Sequence, residues 1–77
     1  MKIKIKNFKI GEEILITSYN PPIKAKIADM YELPFEQVPM TDQQIIEKYR
    51  GKKIPIVEVF TNGRIRSFVS DVIEKII

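Results

Sequence analysis

The chain has 77 residues, which is enough for a single small domain spanning 1–77, and a domain of this size buries only about 60% of the surface its unfolded form exposes. It contains no Cys and no His, which excludes disulfide staples, the usual zinc ligands, the commonest general base and the most reactive nucleophile. Charged residues make up 30% of the chain, and no apolar run approaches the ~18–20 residues that cross a bilayer, so a membrane partner is not expected.

The formal net charge is +3, and it is unevenly distributed. Residues 1–31 carry six Lys against three carboxylates, residues 32–49 carry one Lys against four, and residues 50–77 carry six Lys and Arg against three. Two basic segments therefore flank an acidic one, a pattern that points weakly to a polyanionic partner. The Lys-rich opening, Met1-Lys2-Ile3-Lys4-Ile5-Lys6, lacks the apolar stretch of a secretory signal, so the expected location is cytoplasmic.

Residues 2–6 alternate Lys and Ile, the period of a strand with one apolar face. Phe8 and Ile10 fall on the opposite parity, which predicts a bend at Asn7, and Gly11-Glu12 predicts a turn. Strands are expected at 13–18 and 23–30, joined by the four-residue loop Tyr19-Asn20-Pro21-Pro22. Pairing Ser18 with Ile23 sets Ile16 opposite Ala25 and Ile14 opposite Ile27, with Lys24 and Lys26 on the other face.

Glu32 to Met40 holds two prolines and no clear period, so it is expected to be irregular. Thr41 then reads as a helix N-cap, with Gln44 completing a capping box, Asp42 in the first turn, Lys48 and Arg50 in the last, and Gly51 at C′. A helix over 42–50 follows, with Ile45, Ile46 and Tyr49 as its apolar stripe.

Ile54 to Phe60 is β-rich, and Pro55 confines its start to an edge or the strand's beginning. For the hairpin at Thr61-Asn62-Gly63-Arg64 two registers compete. A two-residue turn pairs Val59 with Arg66; a three-residue bulged loop pairs Val59 with Ile65 and Glu58 with Arg66. The bulged register matches apolar with apolar and opposite charges with each other, and it is the one expected here. Ser70 reads as the cap of a closing helical turn over 71–76, with Val72, Ile73 and Ile76 inward. The predicted core includes Ile14, Ile16, Ile27, Val59 and Ile65.

About five short curved strands in so small a chain predict a mainly β fold with short helices, closed or nearly closed into a small barrel. Phe8-Lys9-Ile10-Gly11-Glu12-Glu13-Ile14 followed by Pro22-Ile23-Lys24-Ala25-Lys26-Ile27 resembles the opening of SH3-like barrels of the KOW and Tudor kind. Gly63-Arg64-Ile65-Arg66-Ser67-Phe68 leading to Ile73 is similar to their closing strand and terminal turn. The resemblance covers most of the chain except 32–53, and it implies an SH3-like barrel with an inserted helix near 42–50. A KOW motif has Gly where Ala25 stands, and of a Tudor-like aromatic cage for a methylated cation only Tyr19 and Tyr31 are in sight. Neither family activity carries over.

No phosphate-binding Gly-rich loop or nucleophile elbow is present, so the chain is expected to be a non-enzymatic binding module without cofactor or metal. The carboxylates Glu12, Glu13, Asp29, Glu32 and Glu36 lack the spacing of a hard-cation loop. Lys24, Lys26, Arg64 and Arg66 are the candidate nucleic-acid contacts, because outward-facing cations on strands can hold DNA or RNA phosphates. Leu33, Phe35, Val38 and Met40 make the 32–40 segment more apolar than a passive loop needs. They are the candidate protein-docking residues. The alternative function is therefore a protein-interaction module, such as a small accessory or virus-encoded factor that docks on a larger host protein.

Overall fold

The computed structural model describes residues 8–39 and 41–76. In chain order the elements are β1 (Glu13–Ile16), β2 (Ile23–Pro34), a 3-10 turn (Phe35–Gln37), α1 (Gln43–Tyr49), β3 (Lys53–Thr61), β4 (Arg64–Val69), a second 3-10 turn (Ser70–Val72) and β5 (Ile73–Lys75). All five strands pair antiparallel in one sheet ordered β4-β3-β2-β1-β5. The strand expected at 2–6 and the bend at Asn7 lie outside the described residues.

β1 is launched by the expected turn. Lys9 O accepts the Glu12 N–H at 3.0 Å, and Gly11 takes a φ of 89°, which a side chain there would resist. Gly11 N–H donates to Ile27 O at 2.7 Å and Ile27 N–H donates to Glu12 O at 2.9 Å, fastening the turn to β2.

The first hairpin is offset by two residues from the expected register: Ile14 pairs with Ala25 and Ile16 with Ile23. Pro22, with no N–H, cannot extend this ladder. Thr17 leaves it instead, donating its N–H and its hydroxyl to Val72 O at 2.7 and 3.0 Å. The loop therefore takes residues 17–22 rather than four. A shift of two preserves both faces, so Ile14, Ile16, Ala25 and Ile27 still point together into the core.

β2 runs on through Pro34, where the sequence suggested irregular chain from Glu32. Ile27 faces Val59 and Asp29 faces Glu58, leaving Ala28 as the extra residue of a β-bulge. The bulge inverts the alternation: beyond it Met30 joins the Val57 side, while Tyr31 and Leu33 share the side of Ile56 and Ile54. Pro55 pairs with Glu32 of β2 at a level where β4, whose ladder starts at Ile56–Val69, is not paired, as its missing N–H requires.

The second hairpin takes the register that the sequence reading set aside. Val59 pairs with Arg66, Phe60 with Ile65 and Glu58 with Ser67. Asn62 at φ 52° and Gly63 at φ 74° form the two-residue connection with positive φ at both central positions, whose twist matches that of the flanking strands. The backbone preference of Asn-Gly outweighs the surface pairing of Glu58 with Arg66, which is worth only ~0.2–1 kcal/mol. A slip of one residue exchanges faces, so Ile65 is not core: it is 55% exposed.

At the helix the cap is Asp42 rather than Thr41, and α1 starts at Gln43. The Asp42 carboxylate accepts the N–H groups of Gln44 at 2.9 Å and Ile45 at 3.4 Å, so the N3 residue is Ile45 and no capping box with Gln44 forms. Gly51, at φ 73°, ends the helix as expected. Asp42→Ala should lower unfolding free energy by about 0.5–2 kcal/mol, and Thr41→Ala should leave it nearly unchanged; parallel urea melts of the two variants measure the difference.

The closing helix over 71–76 is likewise replaced by the 3-10 turn Ser70–Val72 and the strand β5, whose Ile73 faces Ile16. Pairing along the edge of β1 gives partners to those backbone groups of 73–75 that face it. The sheet is open: no ladder joins β4 to β5 among the described residues, so a closed barrel is not formed by them. It is nevertheless strongly curled. β4 and β5 would lie roughly 19 Å apart in a flat five-stranded sheet. Phe68 of β4 nonetheless packs on the same core as Ile73 of β5, together with Phe8, Ile14, Ile16, Ala25, Ile27, Val57 and Val59.

The first half of β3 is buried on both sides. Val57 and Val59 face this inner core, whereas Ile54 and Ile56 face outward and are also buried. Leu33, Val38 and Ile45 line a cleft together with Ile56, so the segment between β2 and β3 covers this end of the outer face. No helix among the described residues is long and apolar enough to cross a membrane.

Candidate nucleic-acid interface

Paired residues in an antiparallel ladder point to the same face, so the registers assign each candidate cation a side. Lys26 pairs with Phe60, and Phe60 with Ile65, which sets Lys26 and, by alternation, Lys24 on the outer face with both apolar residues. Arg66 pairs with Val59, which sets Arg66 and Arg64 on the inner side. The four candidate cations are thus divided between two faces. All four are exposed and all lie near the Asn62–Gly63 end of the sheet, where the Thr61 hydroxyl donates to Lys24 O at 3.3 Å.

None of the four takes part in an ion pair among the described residues; the two pairs there are Lys48–Asp71 and Lys75–Glu12. Arg66 directs Nη1 to the Tyr19 hydroxyl at 3.5 Å, and the Tyr19 ring packs edge-on against Phe68 with centroids 6.1 Å apart. Tyr19 therefore belongs to the inner side. Tyr31 stands on the outer side opposite Ile56, so the two tyrosines do not share a cage.

The outer face changes character along β3. At the hairpin end lies the row Lys26–Phe60–Ile65, with Phe60 50% exposed. One step along is an acidic row, Asp29–Glu58–Ser67. There Asp29 accepts the N–H of Met30 at 2.8 Å, and Glu58 accepts the Tyr31 hydroxyl at 2.7 Å. That bond to a carboxylate, with some desolvation, holds the Tyr31 phenol above its ordinary pKa of 10.0. Beyond it the face is covered.

Of the docking candidates, Leu33, Phe35 and Val38 are half-buried, and Leu33 and Val38 turn into the cleft over Ile56; Met40 lies outside the described residues. The cleft has a volume of about 480 Å³ and a mostly apolar lining that also includes Tyr31, Ser67 and Asp42. Sequence reasoning missed Phe60. Part of the signal was present: with Val59 inward, alternation turns Phe60 outward, but its place beside the lysines follows only from the pairing of β2 with β3.

Fold and site together define a small, mainly β, single-sheet protein with a cationic end. Comparisons with protein-family models, with curated proteins and with solved structures find no match to this chain.

Proposed function

We propose that this protein is a non-enzymatic binding module of the SH3-like small-barrel class and that its ligand is a nucleic acid, held through phosphates. The class reading is supported by the curl of one sheet over one core and by the return of the last strand to the side of the first. The observation that carries the ligand reading is the gathering of Lys24, Lys26, Arg64 and Arg66 at one end of the sheet, exposed and outside any ion pair of the described residues. Exposed cations at one end of a molecule of net charge +3 raise the local concentration of polyanions and release condensed counterions on contact.

Because the four cations occupy two faces, the two lysines and the two arginines form separate contacts. The lysine pair is the main one, since Arg66 is partly engaged by Tyr19. Salt-titrated anisotropy with labelled oligonucleotides tests this. On duplex DNA, Lys24→Gln with Lys26→Gln should flatten the log–log salt slope by about 1.8 units, and the arginine pair should change it less. Absence of binding to DNA and RNA at ~50 mM salt overturns the reading and favours protein docking through Leu33, Phe35, Val38 and Met40.

A further inference from the structure

We propose that the outer-face patch of Lys24, Lys26, Phe60 and Ile65 selects single-stranded nucleic acid, with one base stacked on the Phe60 ring against Ile65 and the lysines holding the adjoining phosphates. This rests on the nucleic-acid reading above and narrows it to a strand type and an anchoring residue.

The patch combines the two features that single strands require, a cation track and an accessible aromatic surface. Phe60 and Ile65 are 50% and 55% exposed although they stand directly opposite each other in the ladder, so the apolar surface they present is shared and continuous. Lys26 is the cross-strand neighbour of Phe60 on its other side, and Lys24 follows about 7 Å along β2. In a duplex the faces of the bases are occupied by their neighbours, and a ring standing on a sheet cannot reach them. In a single strand they are free.

Charge also sets the direction and length of the site. The Asp29–Glu58 row repels a backbone that would run further along β3, and Glu13, opposite Lys26 on β1, limits the track on that side. The strand therefore crosses the sheet at its hairpin end, from Ile65 over Phe60 toward Lys26 and Lys24. With two cations and one ring, the footprint is one or two nucleotides and the affinity is modest.

The test uses a 15-nucleotide labelled single strand of mixed sequence and the matching duplex, measured by anisotropy from ~50 mM salt upward. The expected result is tighter binding of the single strand, weakened about 5- to 150-fold by Phe60→Ala, the range that corresponds to loss of one base–aromatic stack. Phe60→Leu, which keeps apolar bulk without a ring, should lose a comparable factor while retaining the fold; Phe60→Tyr should bind nearly as well as the parent. The protein has no Trp, so Phe60→Trp places a unique fluorophore whose emission should be quenched by the single strand. Equal or stronger binding of the duplex overturns the proposal. So does a Phe60→Leu variant of unchanged affinity alongside a weakened Lys24→Gln and Lys26→Gln variant, a result that leaves phosphate binding standing without stacking. Failure of both oligonucleotides to bind overturns this proposal and the broader reading together.

Discussion

Ile27→Ala is expected to lower the unfolding free energy by about 2–5 kcal/mol, whereas Ile65→Ala should change it by no more than ~0.5 kcal/mol. Ile27 lies at the centre of the inner core, facing Val59 across the ladder and joined in one cluster with residues from β1, β3 and β5. Its N–H and carbonyl also fasten the Gly11 turn, so the backbone at this point cannot move far to fill a cavity left by the missing side chain. Ile65 is equally apolar but stands on the other face, opposite half-exposed Phe60. Denaturant melts of the two variants thus read the register of the second hairpin directly. In the bulged register Ile65 would be the core residue and both substitutions would cost kilocalories.

The two hairpins explain how much of the fold was legible in the sequence. In the first, the register was wrong by two residues, yet every face assignment survived because side chains repeat with period two. In the second, an error of one residue moved Arg64, Arg66 and Ile65 to the wrong faces and changed the candidate site. Local turn chemistry decided that case: the positive φ angles of Asn62 and Gly63 belong to the two-residue turn, and side-chain matching across the strands was the weaker guide. The bulge at Ala28 was hidden because its neighbours Ile27 and Asp29 read as a continuing strand in either register. β5 was hidden for another reason. Three residues carry too little pattern to separate a strand from a helical turn, and only the edge of β1 makes the difference. Asp42 took the cap from Thr41 by one position, the usual uncertainty of a helix boundary. Lys24 and Lys26 were legible as exposed cations from alternation alone, but the ring beside them depended on which strand faced which.

Asp71→Ala should loosen the cover over the outer face without dismantling the sheet. Helix α1 has seven residues and none fully buried, well below the ~12–15 at which an isolated helix becomes marginally stable, so it persists through tertiary links. Asp71, in the 3-10 turn before β5, supplies one such link, accepting the Tyr49 hydroxyl on Oδ1 and Lys48 Nζ on Oδ2, both at 2.6 Å. The lysine side chain is 59% exposed, and its part of the clamp is screened by water. The Tyr49 hydroxyl is part-buried, and removing its acceptor leaves it unsatisfied, a loss of about 1–3 kcal/mol. Tyr49→Phe removes donor and demand together and should cost less. Burial first, and the bond to Asp71 second, raise the Tyr49 pKa above 10.0. A raised pKa in the folded state contributes stability that is complete below the unfolded value and is lost as pH climbs through the folded one, so the Tyr49 part of the clamp holds at neutral pH and is lost in alkali. Amide exchange provides the sharper readout. In Asp71→Ala the helical N–H of Ile46, bonded to Asp42 O, should lose protection while the β2–β3 ladder keeps its own. Unchanged protection at Ile46 would mean that Ile45, lying in the cleft against Ile56, is sufficient to dock the helix.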